Sequence, residues 1–248
     1  MTASQTDLLK KVLADPERLP RHVGVVLDGN RRWAKANGLS IRKGYEVGAK
    51  KCEELLHWAH EAGIRIISIW VWSTENFKRS QSQVNFMMKL FKTYMRKALK
   101  DHFVPQEQTR IKFIGRLDMM NSDLQLLARD LEEETKDNRG LQINVCMAYG
   151  GRNELVDAAR HLAEKVKRGE LRVKNIDEKA LTAATYYDGP DIDLVIRTSG
   201  EQRTSGFMLW HTAYSEWYFE KKHFPDLEKK DFLQAIYEYQ QRDRRFGR

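Results

Sequence analysis

The sequence predicts an α/β protein built on a central, mostly parallel sheet. Three observations carry that expectation. Short apolar runs, too brief for free helices and rich in Val and Ile, recur along the chain at residues 22–27, 66–72, 111–114, 143–147 and 194–196. Amphipathic stretches of helical period separate them at 44–62, 84–103, 122–135, 152–168 and 231–242. Near-continuous apolar strands alternating with helices imply a sheet covered on both faces, with ligands expected at the carboxyl ends of its strands.

Taken in chain order, residues 1–20 form a helical extension carrying Asp7, Lys10, Lys11, Asp15, Glu17 and Arg18, with no apolar segment suited to a signal peptide. Residues 21–248 read as one domain: the five prolines (Pro16, Pro20, Pro105, Pro190, Pro225) are scattered at element junctions, and no repeat or linker interrupts the pattern. The first strand runs into Asp28-Gly29-Asn30-Arg31-Arg32-Trp33, which opens onto a helix. The second runs into Ser73-Thr74-Glu75-Asn76-Phe77-Lys78-Arg79, the fourth into Ala148-Tyr149-Gly150-Gly151-Arg152, and the fifth into Arg197–Ser205 by way of Gly200, Glu201 and Arg203. Four polar, arginine-bearing segments at one end of one sheet constitute a candidate site.

The chemistry of these segments is anion binding. A carboxylate followed by Gly29, Asn30 and two arginines at a helix start suits a phosphate, and an Asp beside a phosphate calls for Mg²⁺ between them. The other reading of this segment is an Asx-turn with solvated arginines. Arg197 directly follows an apolar run, which sets its guanidinium at a strand end where it suits a diphosphate; the alternative is a surface loop ion-paired to Glu201. Residues 207–219 are too apolar for a loop, so Glu216 within them needs a partner, either a metal ion shared with Asp28 or a buried salt bridge. The stripe Met87, Leu90, Phe91, Tyr94, Met95, Ala98, Leu99 is ordinary core or the wall of an apolar tunnel; Trp58, Trp70 and Trp72 read as core.

Composition closes other routes. Among 248 residues, 41% are hydrophobic, which excludes disorder for the bulk of the chain. Cys52 and Cys146 have no metal or redox spacing, and no run is long enough to span a bilayer, so a cytoplasmic, reduced protein is expected. The charge of +8 is compatible with nucleic acid, anionic lipid or phosphorylated small molecules. The aromatics lie in apolar runs rather than interleaved with the basic residues, which argues against a nucleic-acid partner. No G-x-x-x-x-G-K-[ST], G-x-G-x-x-G, G-x-S-x-G or D-D-x-x-D occurs.

In residues 22–34, Ser73-Thr74-Glu75-Asn76, Tyr149-Gly150-Gly151-Arg152 and residues 193–216, and in order from about His22 to Arg244-Arg245-Phe246-Gly247, the chain closely resembles the cis-prenyltransferase family of the undecaprenyl diphosphate synthase type. The resemblance implies a homodimer with a hydrophobic tunnel that condenses isopentenyl diphosphate onto an allylic diphosphate such as farnesyl or geranylgeranyl diphosphate. By it, Asp28 binds Mg²⁺ and assists departure of the allylic diphosphate. Gly29, Asn30, Arg31 and Arg32 cradle that group, with Arg79 nearby; Trp33 counts among the substrate-binding residues. Arg197, Arg203 and Ser205 hold isopentenyl diphosphate, Glu216 completes the metal site, and Trp72, Ser73 and Asn76 flank the reacting carbons. Tyr45 stands where the family often has His, Gln83 where it often has Glu, and Gly206 where Asn is frequent. The tail at Arg245-Phe246-Gly247 resembles one that reaches a partner's active site in some members. The implied product is a polyprenyl diphosphate; a short-chain or irregular synthase and a non-catalytic subunit are the alternatives. Basic clusters at 165–174 and 242–248 suggest peripheral contact with an anionic membrane.

Overall fold

The computed structural model describes residues 5–101 and 109–242. Among them, six strands form one sheet in the order β3-β4-β2-β1-β5-β6, with every neighbouring pair parallel. They are β1 (His22–Val26), β2 (Ile66–Ser73), β3 (Arg110–Ile114), β4 (Gln142–Tyr149), β5 (Leu194–Arg197) and β6 (Glu216–Phe219). The first five fall on the predicted runs. The sixth was hidden inside the apolar stretch 207–219: it is a four-residue edge strand with every side chain half-buried, so it lacks both alternation and a flanking turn signal.

The helices are α1 (Gln5–Leu13), α2 (Asn30–Ala36), α3 (Ile41–Glu61), α4 (Gln81–Asp101), α5 (Ser122–Thr135), α6 (Gly151–Lys167), α7 (Glu178–Ala184) and α8 (Lys229–Gln240). Local chemistry sets their starts. Ser40 accepts the Lys43 amide at 3.2 Å to cap α3, and Asn121 accepts the Leu124 amide at 3.1 Å to cap α5. The Asp177 cap begins α7, an element of seven residues that is too short to show a helical period in the sequence. Helix α1 is tied to α8, where Gln240 donates to the carbonyls of Val12 and Asp15.

Strand alternation divides the core. Val23, Val25, Ile67, Ile69, Leu194 and Ile196 pack with α3 and α8, while Val26, Cys146 and Val195 pack on the opposite face with Tyr187, Phe207 and Met208. Between α4, α5 and the β3–β4 side lies another cluster around Trp72, Met87, Met95 and Leu131. The chain leaves β1 toward β2 on one side and reaches β5 on the other. The crevice beyond the carboxyl ends of β1 and β5 is therefore the switch point where such sheets take ligands.

Candidate active site

Asp28 and Arg197 meet at that switch point. Val26 and Arg197 are register partners, which brings the residue closing β5 level with the turn after β1. Arg197 donates to Asp28 Oδ2 at 3.0 Å and Arg32 donates to Oδ1 at 3.0 Å. Burial pushes the Asp28 carboxyl upward, but the two guanidinium groups outweigh it and hold the group below its usual range. The turn itself is fixed by its backbone. Asp28 O accepts from Thr198 Oγ1 at 2.7 Å and from the Phe224 amide at 3.0 Å. Gly29 has φ +107°, and a Cβ there would lie 2.8 Å from both Ser199 Oγ and His223 Nδ1, so only glycine fits.

Asn30 fills the next position. Its Nδ2 donates to Leu27 O at 3.0 Å, and its buried Oδ1 has no partner. The carboxamide can sit there because α3 carries Gly48 opposite, where a Cβ would come within 2.0 Å of Oδ1. Helix α2 has only seven residues, so its dipole is small and the anion-binding capacity rests on side chains. Arg31 and Lys35 line the cavity mouth with no partner given by the described residues. Arg32 is engaged with Asp28 and with Glu201, which also accepts from Arg203. Those two arginines hold the Glu201 carboxyl below its usual range, Arg203 most strongly.

Arg197 is 3% exposed and organises the loop beyond β5. It donates to Ser205 Oγ at 2.8 Å and to the Arg203 carbonyl, while its buried Nε has no partner. Ser199, Ser205 and Met208 adopt positive φ alongside Gly200 and Gly206. The loop folds back so that the Arg203 carbonyl and the Ser205 hydroxyl both bracket the Arg197 guanidinium.

The segment after β2 supplies the third wall. Ser73 and Asn76 form a reciprocal cap in which the Ser73 amide donates to Asn76 Oδ1 at 3.3 Å. Trp72 is 1% exposed with an unpartnered buried Nε1, and the Arg79 guanidinium lies 5.2 Å from its ring centroid. Arg79 also donates to the Tyr45 hydroxyl at 2.5 Å. Beneath this polar mouth opens a cavity of about 900 Å³ that continues between α3, α4 and the sheet. Met87, Leu90, Phe91, Tyr94, Met95 and Ala98 line it, so much of the apolar stripe forms tunnel wall as well as core.

Asp28, Gly29, Asn30, Arg31, Arg32, Trp72, Ser73, Asn76, Arg79 and Arg197 all line this one cavity. Arg203 and Ser205 gather around Arg197 and Glu201 without lining it. Two expectations fail. Trp33 turns away from the cavity and donates to Asp226 Oδ1 at 2.6 Å, because its position on α2 faces the turn before α8. Glu216 is not beside Asp28. It begins β6 at the amino end of the sheet, level with Leu194, and accepts from Arg242. Five residues at ~3.3 Å each, plus two strand spacings of ~4.8 Å, separate it from Asp28, so the two carboxylates of one chain cannot share an ion. Its partner in this chain is Arg242, in an ion pair that is half-buried rather than buried. Among the described residues no group of three or more His, Cys, Asp or Glu side chains forms a metal cluster. The tail at Arg245-Phe246-Gly247 lies outside the described residues.

The sequence reading missed the Ser199–His223 contact, with Oγ and Nδ1 2.6 Å apart behind Gly29, and the Tyr45–Arg79 link. Neither pair has a spacing signal, since the partners lie 24 and 34 residues apart and are joined only by the fold.

Comparison with known proteins agrees with this geometry. Residues 26–247 match the family model described as "Putative undecaprenyl diphosphate synthase". An isoprenyl transferase of Thermus thermophilus is 43% identical, covering 97% of this chain and 93% of its own length. A geranylgeranyl-diphosphate-specific tritrans,polycis-undecaprenyl-diphosphate synthase of Pyrococcus abyssi is 44% identical, covering 97% and 91%. The crystal structure of lavandulyl diphosphate synthase from Lavandula x intermedia, in complex with dimethylallyl diphosphate, superposes with a TM-score of 0.89 at 35% identity over 94% of this chain and all of that one. With the matched region reaching from the end of β1 to residue 247, this protein belongs to the undecaprenyl diphosphate synthase family of prenyltransferases.

Proposed function

We propose that this chain condenses isopentenyl diphosphate onto an allylic diphosphate, forming cis double bonds and a polyprenyl diphosphate. The observation that carries the reading is the junction at Asp28: an arginine from helix α2 and one closing strand β5 converge on one carboxylate at the mouth of an apolar cavity. Two anionic substrates need two cationic cradles, and a growing hydrocarbon needs a dry wall.

The residues divide the work accordingly. Arg31 and Arg32, with Arg79 held by Tyr45, receive the allylic diphosphate, while Arg197, Arg203 and Ser205 receive isopentenyl diphosphate. Ser73 and Asn76, locked by their mutual cap, fix the wall beside the reacting carbons. A new carbon–carbon bond forms as the allylic C–O bond breaks, diphosphate departs and the isopentenyl unit loses a proton. Holding both reactants in register is the largest service such a site provides, followed by cationic stabilisation of the departing charge.

Mg²⁺ fits these residues through Asp28 alone. Such an ion usually binds one or two carboxylates, substrate phosphates and water, and a carboxylate already accepting two arginine donors keeps free lone pairs. When bound, Mg²⁺ supplies neutralisation of charge on the leaving diphosphate.

Three finer readings accompany the reaction. A polyprenyl product is favoured over a single condensation by the size of the cavity. Homodimerisation through the free edge of β6 is supported by half-buried Trp217 and Phe219 beside exposed Tyr214. A peripheral membrane contact at the turn after α6 is supported by exposed Val173 and Ile176 among Lys167, Arg168 and Lys174. Among the described residues no helix is long and apolar enough to cross a membrane.

The deciding experiment is incubation with radiolabelled isopentenyl diphosphate and farnesyl or geranylgeranyl diphosphate, with and without Mg²⁺. Metal-dependent incorporation into a polyprenyl product is expected; no incorporation with any allylic primer overturns the reading. Sedimentation at micromolar protein should show a dimer, and acidic vesicles should retain more protein than neutral ones.

A further inference from the structure

The wall of the cavity changes character along its length. The mouth is cationic, and most of the deeper wall is apolar: Leu56, Ile69, Met87, Phe91, Met95 and Val145 all contribute. One carboxylate interrupts the apolar part. Glu53 of α3 lines the cavity eight residues beyond Tyr45, which places it ~12 Å farther along the helix axis. Lys97 of α4 donates to both of its oxygens, at 2.8 Å and 3.0 Å. Its neighbours are Cys52 and Tyr94, both in the same wall, and its negative charge helps to raise the phenol of Tyr94, behind the larger effect of burial.

This pair is not a surface ornament of one helix. It crosses from α3 to α4, two elements that otherwise touch sparingly. The Glu53 side chain is 19% exposed and that of Lys97 is 44% exposed, so the pair stands where the dry interior meets water. The contrast with the adjacent Lys51–Glu54 pair is direct. That pair joins two residues of α3, and neither lines the cavity.

We propose that the Glu53–Lys97 pair sets product length, as a charged break in the apolar wall near the far end of the tunnel. The inference rests on the prenyl-transfer reading above. While the growing chain lengthens against Met87, Phe91 and Met95, each added unit leaves water for an apolar wall. When its end reaches Glu53, further growth must strip water from an ion pair, part it, or push hydrocarbon into solvent. Each of those opposes elongation, so release overtakes another condensation at this depth. Truncation of the carboxylate removes the obstacle and lets Lys97 extend into water along its flexible stem.

The test is the product spectrum of Glu53→Ala, Lys97→Met and the control Glu54→Ala, each with radiolabelled isopentenyl diphosphate and one allylic primer, resolved by chain length. Glu53→Ala and Lys97→Met should shift the dominant product upward by at least one five-carbon unit, with initial condensation rates within about threefold of the unsubstituted enzyme. Glu54→Ala should leave the spectrum unchanged. An unchanged or shortened spectrum from Glu53→Ala overturns the inference while leaving the prenyl-transfer reading intact. Should that variant not fold, Lys97→Met decides by the same criterion. No incorporation by the unsubstituted enzyme would instead overturn the prenyl-transfer reading, and the stop with it.

Discussion

The two ends of the parallel sheet solve opposite problems. At the carboxyl end, Asp28, Arg32, Arg197, Glu201 and Arg203 form a chain of charges paired with one another, ringed by backbone at positive φ. At the amino end, one buried group of side chains is neutral and hydrogen-bonded within itself. His22 bonds Pro190 O through Nδ1 at 2.9 Å and Ser68 Oγ through Nε2 at 2.7 Å, and Asn144 donates to the same Ser68 oxygen at 2.9 Å. Charges that can exchange partners suit a site that must admit anions. Neutral groups with fixed partners suit a base that must stay put. The difference predicts that perturbing one end costs turnover and perturbing the other costs stability.

The largest effect is expected at Asp28. Asp28→Ala should reduce turnover about a thousandfold, equivalent to about 4 kcal/mol of barrier, while leaving the circular dichroism spectrum and cooperative unfolding intact. Activity retained in full would mean that the carboxylate plays no part at the departing diphosphate, and would break the comparison at its strongest point. Arg197→Lys should come next, with kcat/KM down about a hundredfold. A single ammonium cannot reproduce the guanidinium fork that reaches Asp28, Ser205 and the Arg203 carbonyl together.

The amino end is tested by acid. Burial pushes the His22 imidazole down to about 4 from an ordinary value of 6.5. Above pH 6.5 the ring is neutral in both folded and unfolded chains and contributes nothing to the pH dependence. As pH falls below 6.5 the unfolded chain takes up a proton that the folded one refuses. Stability is therefore lost between pH 6.5 and about 4, by about 3 kcal/mol in all. Glu154 acts in the opposite sense, since burial raises its carboxyl and falling pH relieves that penalty. Urea unfolding at pH 7 and pH 5, with the His22 ring followed by NMR, should show the loss; a His22 resonance titrating near 6.5 would sink it.

The ease of reading the site from sequence obeys the same division. Asp28 and Arg197 were legible because each comes directly after a buried apolar run, and a charged residue there must lie at a strand end. Glu216 was not, because one continuous apolar stretch concealed where β6 begins and hence which end of the sheet its first residue occupies. Trp33 was lost for a related reason: the motif fixes the turn, but the facing of a two-turn helix is decided by what packs beneath it, here Asp226. Core and tunnel share the same helical period, so only the space left between α3 and α4 distinguishes a packed Met87 from one lining a cavity.

The smallest expected effect separates a bound arginine from a free one. Arg79 and Arg31 both line the mouth, yet Arg79 is held by the Tyr45 hydroxyl and stacked over Trp72, while Arg31 has no partner given by the described residues. Tyr45→Phe removes one oxygen and leaves the ring in its contacts with the α4 cluster. A lost hydrogen bond at this half-exposed site is worth about 0.5–1.5 kcal/mol, so KM for the allylic diphosphate should rise about twofold to about twelvefold with kcat nearly unchanged. If Tyr45 only filled space, Phe would serve equally and neither constant would move. If instead kcat fell and KM held, the phenol would be acting on the departing diphosphate itself, and the line between holding and reacting groups at this end of the sheet would have to be redrawn to include it.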